Sequence, residues 1–543
     1  MKYYLLGHDA IVMFNNVLFH NLSTSSNHPL FHLTHSKLSG DFLSFNSLNC
    51  TLFEFISTDV HLSNSSFEYI SLSTIATFSD SSFNLSSSIF SNVCIYNIIS
   101  MILLDNSYAY FNSVMFSYIS SFSLIETIKS DVKLNRVTFS HLDSASPFYF
   151  TDSSSCLIED TVISNSNNHV CFNSESSTLN LSTLRVHNVT TNSFLNSHES
   201  VIFSTLLEIV NTTILDVCVK LLQTSGLFQN IIVHSSQVFE FFQMVGSSFH
   251  LNSIDFGSTN SLTTSLFNVS FATVKLHDIS IIGPFRNSVS LFKVHYSDVI
   301  VFGANVTHLT SSLISSDYSA VSFAEISIIN STADWLIFTV SSNSSFSNIW
   351  ISNVSSVSNH ATLRAALSSI SLSNVIVDFF WTSSFISLSD SLGSIVNSTF
   401  NYVNSIGSSW IHLVGSHVQV ENMSNSYINV MTLIKLDNSQ FDSESLSLIR
   451  SQIDSVLVSN ESRISLGQLD VSFTNISQSF TVLTNSLMNV NSLSFGHTSL
   501  LMIIEAYEST LDLDQLQLQG VFIYTPSVSC LFRLSNSTFV FQT

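Results

Sequence analysis

The stretch Val186-His-Asn-Val-Thr190, "VHNVT", contains a pattern that recurs along the whole chain and decides its fold. Close variants are "FHNLS" from Phe19, "ISNVS" from Ile351 and "FTNIS" from Phe473. Each variant has an apolar residue, a polar residue, Asn and a second apolar residue. Asn enters the left-handed backbone region more readily than other non-glycine residues. The pattern therefore predicts a strand that ends in the core, a sharp turn at Asn, and a return to the core.

The first apolar residue of this pattern, the anchor, recurs at an average spacing of about 24 residues and gives about 22 units, a period typical of solenoids. One unit breaks the rule, because Ser424 stands where an apolar anchor is expected. Within a unit, segments such as Leu179-Asn-Leu181 alternate between apolar and polar residues, which is the period of a β-strand. No long gap interrupts the series, so we expect one continuous domain over residues 1–543.

Two or three short strands joined by polar turns in each unit predict an all-β parallel β-helix of about 22 coils with roughly 24 residues per coil. A leucine-rich-repeat solenoid is the alternative fold, because Leu181–Val189 partly matches its signature. In the β-helix, equivalent residues of successive coils stack. We therefore expect the side chains of Asn165, Asn188 and Asn211 to form a hydrogen-bonded ladder. Inside the coils we expect a second structural ladder of stacked rings, formed by Phe67, Phe90, Phe116 and Phe139.

These repeats resemble the right-handed parallel β-helix proteins of the pectin-lyase-like class, and they are similar to the repeats of polymorphic outer membrane proteins. The resemblance implies a right-handed coil. It also raises polysaccharide cleavage, which needs clustered carboxylates or a Ca²⁺ site together with Arg or Lys. Acidic residues here are sparse, and the best pair, Asp512 and Asp514, has Asn489 and Asn491 one coil earlier. We therefore predict no catalytic, cofactor-binding or metal-binding residues, and no enzymatic activity.

Composition excludes two further classes of function. The 543 residues are 45% hydrophobic and 10% charged, with 15 Lys and Arg against 37 Asp and Glu. A formal net charge of -22 disfavours nucleic acid as a partner, because such proteins present a basic face. No apolar stretch approaches the ~20 residues of a membrane-spanning helix. The mean hydropathy of +0.37 therefore indicates a dense interior.

The exterior is expected to be rich in hydroxyl and amide groups, which suits a secreted or cell-surface glycoprotein. Several Asn-x-Ser/Thr sequons precede the anchors, where side chains reach solvent, and we expect N-glycosylation at Asn64, Asn84, Asn343, Asn397 and Asn536. The six cysteines do not fall at equivalent places on adjacent coils, so we expect mostly free, buried thiols. They are Cys50, Cys94, Cys156, Cys171, Cys218 and Cys530.

The function predicted from these features is non-enzymatic: a rigid rod at the cell surface or outside the cell, acting in adhesion, shielding or scaffolding. The alternative is a carbohydrate-active enzyme, a polysaccharide lyase or glycoside hydrolase, with a groove on the β-helix. The partner is unknown, with glycans or host and cell-surface proteins as the candidates. The pattern runs from one end of the chain to the other without a cap, so we expect an excerpt of a longer array or association through the ends.

Overall fold

A computed structural model describes residues 5–23, 29–72, 74–95, 100–257, 260–261, 265–282, 290–333, 335–356, 360–405, 407, 409–523 and 531–541. Its strands form a parallel β-solenoid of about 21 turns with ~23 residues per turn, which confirms the predicted fold class and coil count. The described residues contain no helix. This sets aside the leucine-rich-repeat alternative, whose units combine a strand with a helix or 3₁₀ turn.

The strands up to residue 270 are Leu5–His8, Ile11–Asn15, Leu18–His20, Phe31–Thr34, Lys37–Asp41, Ser44–Asn46, Phe53–Ile56, Asp59–Ser63, Ser66–Leu72, Ala76–Ser79, Ser82–Ser86, Ile89–Ile95, Ser100–Asp105, Tyr108–Asn112, Met115–Ser121, Ser123–Ile128, Asp131–Asn135, Thr138–Ser144, Phe148–Thr151, Ser155–Glu159, Thr161–Ser164, Asn167–Glu175, Thr178–Leu181, Leu184–His187, Thr190–His198, Val201–Ser204, Leu207–Val210, Thr213–Leu222, Ser225–His234, Gln237–Val245, Ser248–Gly257, Asn260–Ser261 and Phe267–Ser270.

The strands from residue 273 onward are Thr273–Ile282, Ser290–His295, Asp298–Thr307, Ser312–Asp317, Ala320–Ala333, Ile337–Val340, Asn343–Ser356, Ala361–Ala366, Ser369–Thr382, Ser384–Ser389, Leu392–Ser405, Ile411–Val414, His417–Ser426, Asn429–Asp437, Gln440–Ile449, Gln452–Asn460, Arg463–Ser472, Asn475–Thr484, Leu487–Gly496, Ser499–Tyr507, Thr510–Gln519, Phe522–Ile523, Phe532–Ser535 and Thr538–Phe541.

Three strands make one coil in the earlier part of the chain, and from Thr213 onward most coils consist of two longer strands. Strands pair in parallel with their equivalents in the next coil. The coil with Phe31–Thr34, Lys37–Asp41 and Ser44–Asn46 shows the plan. Its residues Phe31, Leu38 and Phe45 pair with Phe53, Val60 and Phe67 of the following coil. Alternate residues point inward, as the period of a strand requires. Side chains at one position therefore form a row along the solenoid.

The corners between strands are single residues in the left-handed conformation. In the same coil these are His35 at φ 47°, Phe42 at φ 53° and Ser47 at φ 56°. We call these positions the first, second and third corner of a coil. Each corner is followed by a buried residue, here Ser36, Leu43 and Leu48. Left-handed non-glycine residues at most corners explain how the chain turns so often with only 13 Gly.

Most of the predicted anchors precede the third corner by two residues and fill the core. Of the four phenylalanines expected to stack, each is at most 1% exposed. Several predicted anchors are in the wrong register. Phe473 is itself a third-corner residue at φ 53° and is 58% exposed, and Ile282 is 45% exposed beside the buried Ile281.

The anchor assigned to Ser424 is wrong by one residue. Phe400 pairs with Asn425 rather than with Ser424, and Asn425 is fully buried. Because Asn is polar, the hydrophobic pattern did not identify position 425 as an inward position. The anchor was therefore assigned to the neighbouring Ser424.

The chain divides into two compact units, Met1–Lys275 and Leu276–Thr543. Each unit is built from coils of the kind described above. Among the residues that the structure describes, no helix has the length and apolar character needed to cross a membrane.

Candidate functional site

The predicted phenylalanine ladder forms a continuous stack inside the first unit. The Phe67 and Phe90 rings lie 4.3 Å apart at 4° to each other. The Phe90–Phe116 and Phe116–Phe139 distances are 4.8 Å and 5.0 Å. Because these rings are buried, they stabilise the core and cannot contact a ligand.

The predicted asparagine ladder lies at the third corner and is only partly joined by hydrogen bonds. Asn165, Asn188 and Asn211 have φ values of 49°, 53° and 50°. The Asn188 Nδ2 atom donates to Asn165 Oδ1 at 3.2 Å. In the described part of the chain no side-chain bond joins Asn211 to Asn188. The shared feature of the three residues is therefore the backbone conformation, with one amide contact added.

Asn64 occupies a second corner, at φ 49°. Its Nδ2 atom donates to Asp41 Oδ1 at 2.9 Å, and Ser63 donates to the same oxygen at 2.8 Å. These two hydrogen bonds hold the pKa of Asp41 below its ordinary value. At Asn64, as at Asn188, the amide nitrogen that a glycosyltransferase modifies already donates a hydrogen bond to a neighbouring coil.

The other four sequon residues differ in accessibility. Asn343 begins a strand and is exposed, and Asn536 is an exposed first-corner residue at φ 50°. Asn397 is a second-corner residue whose Oδ1 accepts from Asn422 Nδ2 at 3.0 Å, which leaves its own nitrogen out of that bond. Asn84 lies within a strand and is half-buried. Asn343, Asn397 and Asn536 are therefore the exposed members of this group of four.

The cysteines of the described residues are free thiols. Burial raises the pKa of Cys50 and of Cys171 to about 11, and it also raises the pKa of Cys156 and Cys218. Thiols of this kind are inert toward oxidants and metals at neutral pH. Cys530 lies outside the described residues.

A row of serines behind the first corner is the main structural feature that the sequence analysis missed. Ser416 N–H donates to Ser439 Oγ at 3.2 Å, and Ser439 N–H donates to Ser462 Oγ at 3.0 Å. Each hydroxyl also donates within its own coil, as Ser439 does to Asp437 O at 2.8 Å. The signal was present in the sequence as a Ser after most first-corner residues, in "DNSQ" and "NESR" among others.

In the second unit this serine row forms the floor of a groove of about 1040 Å³ between Leu367 and Thr510. We call it the first-corner groove. One side is the row of corner residues, which presents carboxylates and amides in successive coils. From Asp390 onward that row is Asp390, Gly415, Asn438, Glu461, Asn485 and Glu508.

The opposite side of the first-corner groove is a row of paired strand residues. The pairing runs Leu392, His417, Gln440, Arg463, Leu487 and Thr510. With Ser369 before Leu392, the row crosses seven coils, or about 29 Å at the usual strand spacing. The groove therefore offers a long, open surface on which polar groups repeat in every coil.

Two contacts fix polar groups along the first-corner groove. Asp442 Oδ2 lies 2.8 Å from His417 Nε2 and accepts from Gln440 Nε2 at 2.7 Å, so one carboxylate orients both side chains. Gly415, at φ 59°, leaves room for the neighbouring acid, because a Cβ there would lie 2.4 Å from Asp390 Oδ1. The polar groups are thus held in place before any ligand arrives.

The charge of the first-corner groove is acidic on balance. Asp390, Glu461 and Glu508 supply three carboxylates, and Arg463 is the one Lys or Arg on its walls. No carboxylate of the described residues lies within 4.0 Å of the Arg463 guanidinium. Such a surface accepts hydrogen bonds from hydroxyl groups and repels a polyanion.

An exposed aromatic row at the third corner of the second unit is a second candidate surface. It consists of Phe379, Tyr402, Tyr427, Arg450, Phe473 and His497, all at positive φ. The rings stack on one another, at 4.8 Å and 4° for the first pair and 4.6 Å and 7° for the second. The Arg450 guanidinium lies 5.8 Å from the Tyr427 centroid. Because the ring faces cover each other, the row offers mostly edges to a ligand, which favours a structural role.

Comparisons with known proteins add little to this picture. No family profile matches the chain, and no curated protein matches its sequence. Among solved structures, the PL6 family alginate lyase AlyGC is similar over 98% of this chain and 96% of its own, with 9% identity and a TM-score of 0.20. A single-residue mutant of that lyase gives 10% identity, 98% and 97% coverage, and a TM-score of 0.21. The class that the fold itself defines is the parallel β-solenoid.

Proposed function

We propose that the chain is a carbohydrate-binding β-solenoid that holds a linear polysaccharide in the first-corner groove. The observation that carries this proposal is the groove itself, about 1040 Å³ in volume, with two parallel rows of polar side chains. A polysaccharide presents hydroxyl groups at regular intervals, and the groove presents partners for them in each coil. A small ligand would fill only part of a site that is about 29 Å long.

The groove chemistry favours a neutral polysaccharide over a polyuronate. Asn438, Gln440 and Asn485 offer both donors and acceptors, which matches hydroxyl groups that do both. Leu392 and Leu487 provide apolar contacts for the C–H faces of sugar rings. Three carboxylates against one arginine would repel a chain that carries a carboxylate on every sugar.

We further propose that the protein binds this polysaccharide without cleaving it. Glu461 and Glu508 are two coils apart on the corner row, so their Cα atoms are separated by about 10 Å. The two carboxyl groups of a glycosidase flank the scissile bond, whereas all three carboxylates of the first-corner groove lie on its corner side. Binding without cleavage suits adhesion at a cell surface, a location that a chain with only 10% charged residues and a polar exterior of Ser, Thr and Asn favours.

Isothermal titration calorimetry with a panel of neutral linear hexasaccharides, and a uronate hexasaccharide beside them, tests the groove. We expect a neutral member to bind and the uronate to bind more weakly. The double variant Asn438→Ala/Gln440→Ala should raise Kd by roughly tenfold, since it removes two or more hydrogen bonds. Gln237→Ala, an exposed glutamine in the first unit, is the control.

Two results would overturn this function. One is the absence of saturable binding across the neutral panel. The other is a double variant that binds as the wild type does. New reducing ends after incubation with the bound polysaccharide would show that the protein cleaves its ligand, contrary to the proposal of binding alone.

The second candidate function is display, in which a glycosylated rod at the cell surface shields or scaffolds without a ligand in the groove. The exposed sequons Asn343 and Asn536 favour it. Glycopeptide mapping of material secreted from a eukaryotic host tests this candidate. Full glycosylation at both sites together with an inert groove would favour display over carbohydrate binding.

A further inference from the structure

A second depression in the second unit, of about 300 Å³, lies on the outward face of the first strands of successive coils. We call it the Arg364 pocket. Arg364, Ser387 and His412 form its base, and they occupy one row because Arg364 pairs with Ser387 and Ser387 pairs with His412. Serine hydroxyls and the ring of His360 complete the lining.

The row that contains these residues is basic in a strongly acidic protein. Through successive pairings it runs Lys293, Ser315, Phe338, Arg364, Ser387, His412 and Lys435. Three of the 15 Lys and Arg residues of the chain lie between Lys293 and Lys435 on this row, and that part of the row contains no Asp or Glu. Beyond Lys435 the row continues through Val458 and Val482 to Glu505. A surface of this sign within a chain of net charge -22 attracts an anion locally.

Arg364 is held in position without being neutralised. Its guanidinium carbon lies 5.7 Å from the centroid of the Phe338 ring in the preceding coil, a cation–π contact. Within the described residues no carboxylate lies within 4.0 Å of it. A guanidinium presents several N–H donors in a fixed plane and binds oxyanions in a bidentate manner. Its donors are therefore available to a ligand.

His412 follows Ser387 in the row, and a carboxylate of the next coil orients its ring. Its Nε2 atom lies 3.1 Å from Asp437 Oδ2 in the following coil. Lys435 Nζ lies 3.5 Å from the same carboxylate oxygen, so Asp437 is shared between two basic side chains. The Nδ1 atom of His412 makes no hydrogen bond in the described part of the chain. That nitrogen can donate to a ligand when it carries the proton.

Gly407, Ser383 and His360 form one wall of the Arg364 pocket, and close packing between coils keeps the pocket compact. Gly407 packs so tightly on the neighbouring coil that a Cβ there would lie 1.9 Å from the Ser383 carbonyl oxygen. The Ser383 hydroxyl donates to the carbonyl of His360 at 2.8 Å, which joins two loops of the wall. The pocket is therefore a formed feature of the described residues, with hydroxyl groups beside the basic row.

We propose that the Arg364 pocket binds a tetrahedral oxyanion, a sulfate or a phosphate. Arg364 and His412 are two coils apart, about 10 Å between Cα atoms, with the Ser387 hydroxyl between them. The Arg364 guanidinium, the Ser387 hydroxyl and the His412 ring line one depression, and the four oxygens of a tetrahedral anion can accept from several such donors at once. The site is separate from the first-corner groove and does not depend on the function proposed there.

Calorimetric titration of the full chain with inorganic sulfate, and separately with inorganic phosphate, at constant ionic strength tests the proposal. We expect saturable binding of at least one anion, with Kd raised roughly tenfold or more in Arg364→Gln, which loses charge-assisted hydrogen bonds. His412→Asn is the second variant and should weaken binding as well. Arg185→Gln, an exposed arginine in the first unit that makes the same change in net charge, should bind as the wild type does.

The two anions distinguish the sources of the ligand. Preference for sulfate points to a sulfate ester, and preference for phosphate points to a phosphate ester. The proposal is overturned if neither anion saturates at millimolar concentration. It is also overturned if both pocket variants retain wild-type Kd, or if Arg185→Gln weakens binding as much as Arg364→Gln, since that result would show non-specific attraction.

Discussion

Phe116→Ala tests the buried phenylalanine stack, which is the core feature that the repeat pattern predicts. Phe116 is fully buried, and its ring lies between Phe90 at 4.8 Å and Phe139 at 5.0 Å, with interplanar angles of 10° and 11°. Replacing a buried phenylalanine with alanine costs about 3–5 kcal/mol, and each lost ring pair accounts for about 0.5–1.5 kcal/mol of pairing energy.

The upper part of that range is expected for Phe116. The main chain on either side is fixed by hydrogen bonds to both neighbouring coils, so the coil cannot collapse into the space that the ring leaves. A loss of about 4 kcal/mol corresponds to roughly a thousandfold faster exchange of the amides that open with this part of the structure.

Hydrogen exchange measured by mass spectrometry locates the effect, because solenoid stability depends mainly on neighbouring coils. We expect faster exchange in peptides from residues 82–144 and wild-type exchange in peptides from residues 430–500. Phe42→Ala is the matched control, since Phe42 is 54% exposed and surface changes usually stay within about 0.5 kcal/mol. Wild-type exchange at residues 82–144 in Phe116→Ala, or an equal effect of Phe42→Ala, would refute the reasoning.

Three further outcomes are expected. Ser439→Ala should lower the free energy of unfolding by about 1–3 kcal/mol in urea titrations, because it leaves the Ser416 N–H buried without its acceptor; an unchanged midpoint would contradict the serine row. Cys171 should react with a thiol reagent only after denaturation, since burial raises its pKa to about 11; rapid labelling of the native protein would count against this. In secreted material Asn343 should carry a glycan more often than Asn188, whose amide donates to a neighbouring coil; glycopeptide mapping with the reverse order would show that this bond does not protect the site.

The prediction of the fold succeeded because its signals are local and periodic. The alternation in Leu179-Asn-Leu181 requires only that successive side chains of a strand point to opposite faces. The Asn of "VHNVT" marks a corner because few non-glycine residues tolerate a positive φ. The same reasoning overlooked corners such as Phe42 and Tyr402, where residues without that preference take the left-handed conformation because the coil on either side imposes it.

The candidate sites were out of reach of the sequence analysis for a different reason. Glu461 and Glu508 are far apart in the sequence, and only the stacking of coils shows that they lie on the same side of one groove, with Asn485 between them. The acidic pair that the sequence suggested, Asp512 and Asp514, lies on a strand outside the lining of that groove. Side chains that stack on one another along the solenoid are a whole coil apart in the sequence. Closeness in sequence therefore does not identify them.

The period, the strand content and most of the residues that fill the core could be predicted from the amino-acid sequence, because burial and backbone preference act within a few residues. The tertiary structure alone decided which side chains meet across coils. Arg364 lies 23 residues before Ser387, and Ser387 lies 25 residues before His412. Coil length varies in this way, and a slip of one residue moves a side chain to the opposite face of its strand. The register fixed by cross-coil hydrogen bonds is therefore what assembles the Arg364 pocket and the first-corner groove.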